Sequence, residues 1–474
     1  MTGPATPFTA IVLAAGQGTR MKSSLPKVLH TLLERPMVSY PIDAALAAGA
    51  ERVVVVVGVG REQVEAALSA RYDGRVTTAL QAEQRGTGDA ARCGREAVAG
   101  VSGRLVILCG DTPLLTAAAI AALLESTDAD TRLALLTSTL DDARGYGRIL
   151  RDGDGRVRAI REDRDCTEAE RAIREWNPGV YAIDADFFDR SVAGLSTDND
   201  QGELYLTDLV ERAAAEGGVA DAAWPAEDLH GINDRAALVA CEAALRRRRA
   251  TELAAGGVTL RDPETTFVGA DVVIEPDVTI EAQVHLRGKT RVGAGAHIDV
   301  GCVLTDTTVH AGAKLLPYTV SSESAIGAES RIGPFTHLRP GSELAARVHL
   351  GNFVETKKTR IGEGSKANHL AYLGDGVVGS GVNVGAGTIF CNYDGFGKYV
   401  TVLEDGVFIG SDSQLVAPIT VGKGAYVATG TTVTMDVPAE AMAIGRARQQ
   451  NKAGLATRLK EKLKAQAARL KGKK

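Results

Sequence analysis

From residue 258 onward an aliphatic side chain returns at every sixth position. The series runs Val268, Ile274, Ile280, Leu286, Val292, Ile298, Leu304, resumes at Ile326, Ile332, Leu338, then at Val378 and Val384, and again at Leu415, Val421, Val427 and Val433. Glycine or another small or acidic residue often follows, as in Ile332-Gly333 and Val421-Gly422, and a small or β-branched residue often lies four places on, as at Ala296, Cys302, Thr336 and Thr431. A period of six is that of a short flat strand and a corner with one side chain turned inward. Three such edges close a triangular coil of about 18 residues, and a single coil buries its inward side chain only by stacking on another. The spacing therefore predicts a parallel β-helix of about ten coils, roughly 48 Å long at the ~4.8 Å separation of paired strands.

Two stretches break the period: Ala346–Lys366, containing GNFVETKKTRIGEGSK, and Phe390–Asp405, containing CNYDGFGKY. Both are expected to leave the solenoid as loops. His369 lies between them; a lone histidine is more often structural, yet its unperturbed pKa suits a general base near neutrality.

Residues 8 to 236 follow a different grammar. Unbroken apolar runs, Val53–Val57 and Leu105–Leu108, alternate with helical patterns at 36–49, 61–70, 87–99 and 116–125. This predicts an α/β domain, with ligands at the carboxyl ends of its parallel strands. The first run, Ala10–Ala14, empties into the string LAAGQGTRMKSSLPK. Gly16 and Gly18 allow close backbone approach to a ligand, and Arg20 and Lys27 supply charge for a polyphosphate. Met21 stands where a G-x-G-x-x-G loop needs its third glycine, and G-x-x-x-x-G-K-[ST] is not matched either. Gly110 and Asp111 follow another strand end. Residues 237–257 read as one helix ending at Gly256-Gly257, its Arg246–Arg249 run a solvated face. The tail from 446 is rich in Lys, Arg and Ala, and is expected to be solvated and partly helical.

With 474 residues, two or three domains are expected. A net charge of −5 and 4% aromatic content argue against a general nucleic-acid binder. The six cysteines form no C-x-x-C, so neither a zinc site nor a disulfide framework is indicated. The N-terminus lacks a secretory pattern and no apolar run approaches the roughly 20 residues that span a bilayer, so a cytoplasmic chain without a nucleic-acid or membrane partner is expected.

The glycine-turn string together with LPKVLHTL, LQAEQRGTGDA, GDTPLL, GYGRI, QGELYLTD, LRPGSEL, GNFVETKK, AGTIFCNYDG, GSDSQLVAP, TGTTVT and AIGRARQ resembles the bacterial bifunctional N-acetylglucosamine-1-phosphate uridylyltransferase and glucosamine-1-phosphate acetyltransferase family, over about residues 8 to 450. The resemblance implies a Rossmann-like nucleotidyltransferase domain with a mixed, mostly parallel sheet (1–236), a linker helix (237–257), a left-handed parallel β-helix acetyltransferase domain (258–446) and a basic tail (447–474). The left hand comes from the resemblance alone, since parallel crossovers are right-handed in about 98% of cases.

The same resemblance implies the ligands. Leu13, Ala14, Ala15 and Gly16 would hold UTP, with Arg20 and Lys27 on its phosphates; Gln81, Gly86 and Thr87 would read uracil. Cys109 and Gly110 would lead into Asp111, which with Asn233 would bind Mg²⁺, while Gly147, Glu162 and Asn177 would hold the amino sugar. In the second domain His369 would be the base for attack of the glucosamine amine on acetyl-CoA. Arg339, Lys357, Tyr372 and Asn383 would bind the sugar phosphate; Ala386, Asn392, Tyr393, Ser411, Thr429 and Arg446 would line the acetyl-CoA groove, Asn392 also being able to orient His369. The family is homotrimeric, with each acetylation site between neighbours. Cys109, Pro178, Asn368 and Thr429 depart from the residues usual there (Tyr, Thr, Gly and Ala). A glucose-1-phosphate nucleotidyltransferase carrying an inert β-helix is the competing reading; it has no need of His369, Asn392 or Lys357.

Overall fold

The computed structural model describes residues 7–471; the ends of the first domain and of the basic tail, residues 1–6 and 472–474, lie outside the described residues. The chain divides into two compact units. One runs up to Ala255 and includes Phe267–Val272; the other comprises Gly256–Thr266 and the chain from Val273 on.

In the first unit the β-branched runs form the middle of a sheet. Strands Val76–Leu80, Ala50–Val57, Phe8–Leu13 and Arg104–Cys109 lie side by side in that order, all parallel. Side chains alternate across the sheet, so Ala10, Val12, Val53 and Val55 enter one apolar core while Ile11, Val56, Leu105 and Ile107 enter the other. Helices Ser39–Ala47, Arg61–Ser69, Thr87–Glu96 and Ala117–Glu125 fall within the segments read as helical. The sheet continues through Tyr181–Asp184, Leu133–Thr139, Glu175–Asn177, Gly147–Arg151 and Val157–Arg161, every one of these pairings antiparallel. The sheet is thus mixed, with a larger antiparallel share than the alternating pattern predicted. Leu13 pairs with both Val56 and Cys109. The glycine turn and Gly110-Asp111 therefore leave the sheet at one level, along one edge. The helix over the expected linker spans Arg235–Ala255.

The second unit is a stack of short parallel strands. One sheet of nine strands, from Val273–Ile274 to Ile419–Val421, forms one side of the stack. Along another, Ile280 pairs with Ile298, Leu315, Ile332, Leu350, Ala367, Val384, Ile409 and Val427 in succession. The steps are 18 or 17 residues except that from Val384 to Ile409, so the coils close on slightly fewer residues than three full hexapeptides.

The two breaks in the period behave differently. Ala346–Lys366 is not a loop. It contains the nine-residue strand His349–Lys357 and the strand Arg360–Ile361, with Leu350, Val354, Thr356 and Ile361 buried. A one-residue deletion shifts the period there without opening the coil. In Phe390–Asp405 the strand Ile389–Cys391 keeps Phe390 inside, and only the chain from Asn392 to Val400 leaves the stack, with Phe396 fully exposed at its tip.

One corner of each coil takes a left-handed residue. Tyr318, Phe335, Phe353 and Leu370 occupy it in successive coils, with φ of 59°, 54°, 60° and 38°. Such a φ costs a residue with a Cβ roughly 1–2 kcal/mol. The rings of Tyr318, Phe335 and Phe353 stack outside the corner at centroid distances of 5.3 and 5.6 Å, which offsets part of that cost. His369 immediately precedes this corner. The tail forms the helix Leu455–Lys471, exposed along its whole length.

Candidate active site

At the carboxyl edge of the first unit lies a cavity of about 290 Å³. Leu13, Ala14, Ala15, Gly16, Lys27, Gln81, Gly86, Thr87, Cys109 and Asp111 line it, ten of the residues expected for the nucleotide. The fold explains how they meet. Gly18 adopts φ 62° and a Cβ there would sit 2.5 Å from Lys27 Cβ, so only glycine lets the turn fold over Lys27. Gly16 has open space around its would-be Cβ and borders the cavity without steric need. Gly110 N donates to Leu13 O (2.9 Å) and Ala14 N to Val56 O (2.9 Å), tying the strand ends together.

Lys27 Nζ donates to Asp111 Oδ2, and Arg20 Nη2 donates to Asn233 Oδ1 (2.9 Å). The segment bearing Asn233 is attached to Asp111 through Ile232 N, which donates to Asp111 O (2.8 Å). The four charged or amide groups expected around phosphate and metal are thus two cation–oxygen pairs. Burial, and after it the Asp111 carboxylate, push the Cys109 thiol up to about 12, so it is a neutral contact and no nucleophile.

Gln81 is buried, and its Nε2 donates to Asp89 Oδ2 (2.9 Å) and Gly86 O (3.1 Å). With the NH₂ committed, Gln81 offers its carbonyl oxygen to a ligand. Burial works against ionisation of Asp89, but hydrogen bonds from Gln81 and Arg92 hold its carboxyl below the ordinary range. Thr87 opens a helix, and its hydroxyl accepts from Leu206 N (3.1 Å). Asn177 pairs in register with Gly147. Its Nδ2 donates to Tyr181 Oη (2.6 Å) and its Oδ1 accepts from Gly179 N (3.0 Å). Glu162 lies 3.6 Å from a would-be Gly147 Cβ and accepts from Thr207 Oγ1 (3.1 Å). Burial raises its pKa. The three amino-sugar candidates are therefore one cluster. Gln84, Glu203 and Asp89 were not read as site residues from the sequence. Gln84 Nε2 donates to Ala15 O (2.7 Å), and Gln84 and Glu203 both line the cavity. Each lies in a quoted motif; for Gln84 and Asp89 their polarity beside Gln81, Gly86 and Thr87 is the signal that could have found them.

In the second unit His369 and Asn352 occupy paired positions of adjacent coils. His369 Nδ1 is 3.1 Å from Asn352 Oδ1. An amide oxygen only accepts, so Nδ1 donates, and in the neutral ring Nε2 then carries the lone pair. Within one chain Asn392 does not meet His369; its Nδ2 donates to Asp375 Oδ2. Sequence reading missed Asn352; its separation of 17 residues from His369, one coil length, was the available signal.

Ala386, Ser411, Thr429 and Arg446 follow His369 at the same corner of successive coils. Asp412 N donates to Ala386 O (2.7 Å), Gly430 N donates to Ser411 O (2.9 Å) and Arg446 Nη1 donates to Thr429 O. Asn392 and Tyr393 stand outside this column, in the extruded segment. Arg339 Nη1 bonds Glu355 Oε1 (2.8 Å), and Glu355 pairs with Tyr372. A hydrogen bond with Lys398, and its charge, lower the pKa of the half-buried Lys357. Asn383 pairs with Lys366 and Phe408, before the corner, whereas Tyr372 pairs with Glu355 and Ile389, after it. The sugar-phosphate candidates are accordingly split between two sides of the stack.

A glycine-turn α/β unit with paired cations at its cavity, followed by a parallel β-helix with a histidine-headed column, defines a two-unit transferase class. Residues 10–178 match the MobA-like NTP transferase domain. The chain is 59% identical to the bifunctional protein GlmU of Sorangium cellulosum over 465 residues, covering 97% of this chain and 98% of that protein. It is 48% identical to the bifunctional protein GlmU of an Anaeromyxobacter species (97% and 94% covered) and 47% identical to that of Trichlorobacter lovleyi (94% and 97%). The chain belongs to the bifunctional GlmU family.

Proposed function

We propose that the chain carries out two transfers in separate units. The β-helix unit acetylates glucosamine 1-phosphate with acetyl-CoA. The α/β unit then transfers UMP from UTP to the resulting N-acetylglucosamine 1-phosphate, giving UDP-N-acetylglucosamine and pyrophosphate, a precursor for cell-wall building. Soluble substrates of this kind suit a cytoplasmic enzyme, and no helix among the described residues is long and apolar enough to cross a membrane.

In acetyl transfer the amine attacks the thioester carbonyl and His369 Nε2 takes the amine proton. Asn352 holds the imidazole in the tautomer that leaves Nε2 free. CoA thiolate departs as the tetrahedral intermediate collapses. Ala386, Ser411, Thr429 and Arg446 offer acetyl-CoA a groove along the corner. Arg339 and Lys357 supply charge for the sugar phosphate. Asn383, Asn392 and Tyr393 stand apart from the His369 column within one chain, which supports a homotrimer in which a neighbour completes the site.

In uridylyl transfer the sugar phosphate oxygen attacks the α-phosphorus of UTP in line with departing pyrophosphate. Both reactants are anionic, so Lys27 and Arg20 offset their repulsion. The Gln81 carbonyl oxygen suits the N3–H of uracil, whereas cytosine presents an acceptor there. The oxygen donors of Asp111 and Asn233 fit Mg²⁺, which prefers oxygen ligands and keeps several waters or phosphate oxygens. No set of three or more His, Cys, Asp or Glu among the described residues competes as a metal cage. When bound, magnesium supplies charge neutralisation across the reacting phosphates.

The observation that carries the reading is His369 at the head of a corner column in a chain that also holds a Lys27–Asp111 cavity. Asp111→Ala should abolish uridylyl transfer and spare acetyl transfer, and His369→Ala should do the reverse, with each half-reaction assayed on its own substrates. Loss of both activities from either change in a folded protein would overturn it.

A further inference from the structure

The helix Leu455–Lys471 contributes to neither candidate site, and all its residues are exposed. It consists largely of strong helix formers: Leu, Ala, Lys, Arg, Gln and Glu. At about 100° per residue, Leu455, Leu459, Leu463 and Leu470 fall within an arc of roughly 80°, interrupted only by Gln466. Their exposures are 46%, 53%, 54% and 66%, so none of the described residues covers that stripe. Arg458, Lys462 and Arg469 flank it on one side, and Lys460, Lys464 and Lys471 on the other; Glu461 is the helix's sole acid. The helix thus carries +5, while the remainder of a chain of net −5 carries −10.

We propose that this helix is a membrane-surface element that lies flat on an anionic lipid bilayer, leucines among the acyl chains and the flanking cations at the headgroup phosphates. At 1.5 Å per residue its 17 residues cover about 25 Å, and six cations forbid spanning. A narrow apolar stripe bordered on both sides by Lys and Arg is the arrangement that an anionic interface accepts, because long basic side chains reach outward while the stripe sinks. The charge segregation agrees: this helix carries a surplus of positive charge while the remainder of the chain is acidic in sum. Pairing with a second copy through the leucines would bring like charges together on both flanks. Nucleic acid would satisfy the cations and leave the leucines in water.

The test is flotation of the full chain with vesicles of phosphatidylcholine containing about one-third phosphatidylglycerol, and with vesicles of phosphatidylcholine alone. The expected result is binding to the anionic vesicles at least about tenfold tighter than to the neutral ones, weakened by salt. The double variant Leu459→Ala/Leu463→Ala, which improves helix propensity, should bind roughly tenfold more weakly and keep both transferase activities. No binding to anionic vesicles, or equal binding by the leucine variant, would overturn the proposal. So would concentration-dependent self-association that the leucine variant loses, or tighter binding to duplex DNA that the variant retains.

Discussion

His369 Nδ1 and Asn352 Oδ1 lie 3.1 Å apart, the two side chains stacked one above the other at a single corner of the β-helix. The contact exists because His349–Lys357 and Lys366–Gly374 both run as continuous nine-residue strands through that corner. Asn352→Ala removes the acceptor and frees the ring to rotate or change tautomer. The expected outcome is a fall of roughly 10- to 100-fold in kcat for acetyl transfer, with KM for acetyl-CoA little changed and uridylyl transfer intact. Asn352→Asp keeps an acceptor but adds negative charge, which favours imidazolium. It should retain more activity, with the acid limb of its kcat/KM profile moved to higher pH.

Gly351 precedes Asn352 and permits the approach of the next coil. A Cβ there would lie 1.9 Å from Asn368 O, a backbone atom with no freedom to withdraw. Gly351→Ala should destabilise the second unit by about 3 kcal/mol and abolish acetyl transfer, with uridylyl transfer retained. Separate thermal transitions of the two units, followed by circular dichroism, check this.

On the proposed reading, in which Gln81 selects the base, its amide is oriented by the Asp89–Gln81 hydrogen bond (2.9 Å). Asp89→Ala lets the Gln81 amide turn and present NH₂ as well as C=O to the base. The KM for UTP should rise about tenfold, and the preference for UTP over CTP should shrink by a similar factor. A ratio of kcat/KM values unchanged from wild type would count against the assignment of Gln81.

Arg95 is buried in the first unit and holds Asp189 through two hydrogen bonds, of 2.8 and 2.7 Å. Asp189→Ala should cost about 2 kcal/mol, the low end for stranding a buried cation, because Asp189 is half exposed. The hydrogen bond from Arg95 lowers the Asp189 pKa below its ordinary value. Its contribution is therefore complete above the unfolded carboxylate range near 4 and disappears as pH falls through the lower folded value. Urea midpoints of wild type and variant, measured at neutral pH and in acid, should differ most at neutral pH and converge in acid.

The glycine turn, the strand-end Gly110-Asp111 pair and the six-residue period were legible because each is a local pattern with one physical meaning. Ten of the expected nucleotide residues line one cavity, since parallel strands of matched register deliver their loops to one edge. The expected loop at Ala346–Lys366 instead stays within the coil as the strands His349–Lys357 and Arg360–Ile361, because a coil shortened by one residue keeps its inward side chains and loses only its phase. Within one chain it is Asn352, not Asn392, whose side chain meets His369, for a related reason. Which side chains face each other depends on how many residues each coil uses, and that number is 17, 18 or 25 in different places.

What the chain alone determined is the inward-facing set: aliphatic residues at the six-residue spacing of one unit and β-branched runs in the other, since burial of those side chains leaves little choice of architecture. What tertiary structure decided is which polar groups meet. Lys27 reaches Asp111, Asn352 reaches His369 and Asn392 reaches Asp375 only once strands are in register and coils have closed. Partners 17 to 84 residues apart are neighbours by virtue of backbone hydrogen-bond register, a property of the assembled sheet that no local run of residues encodes.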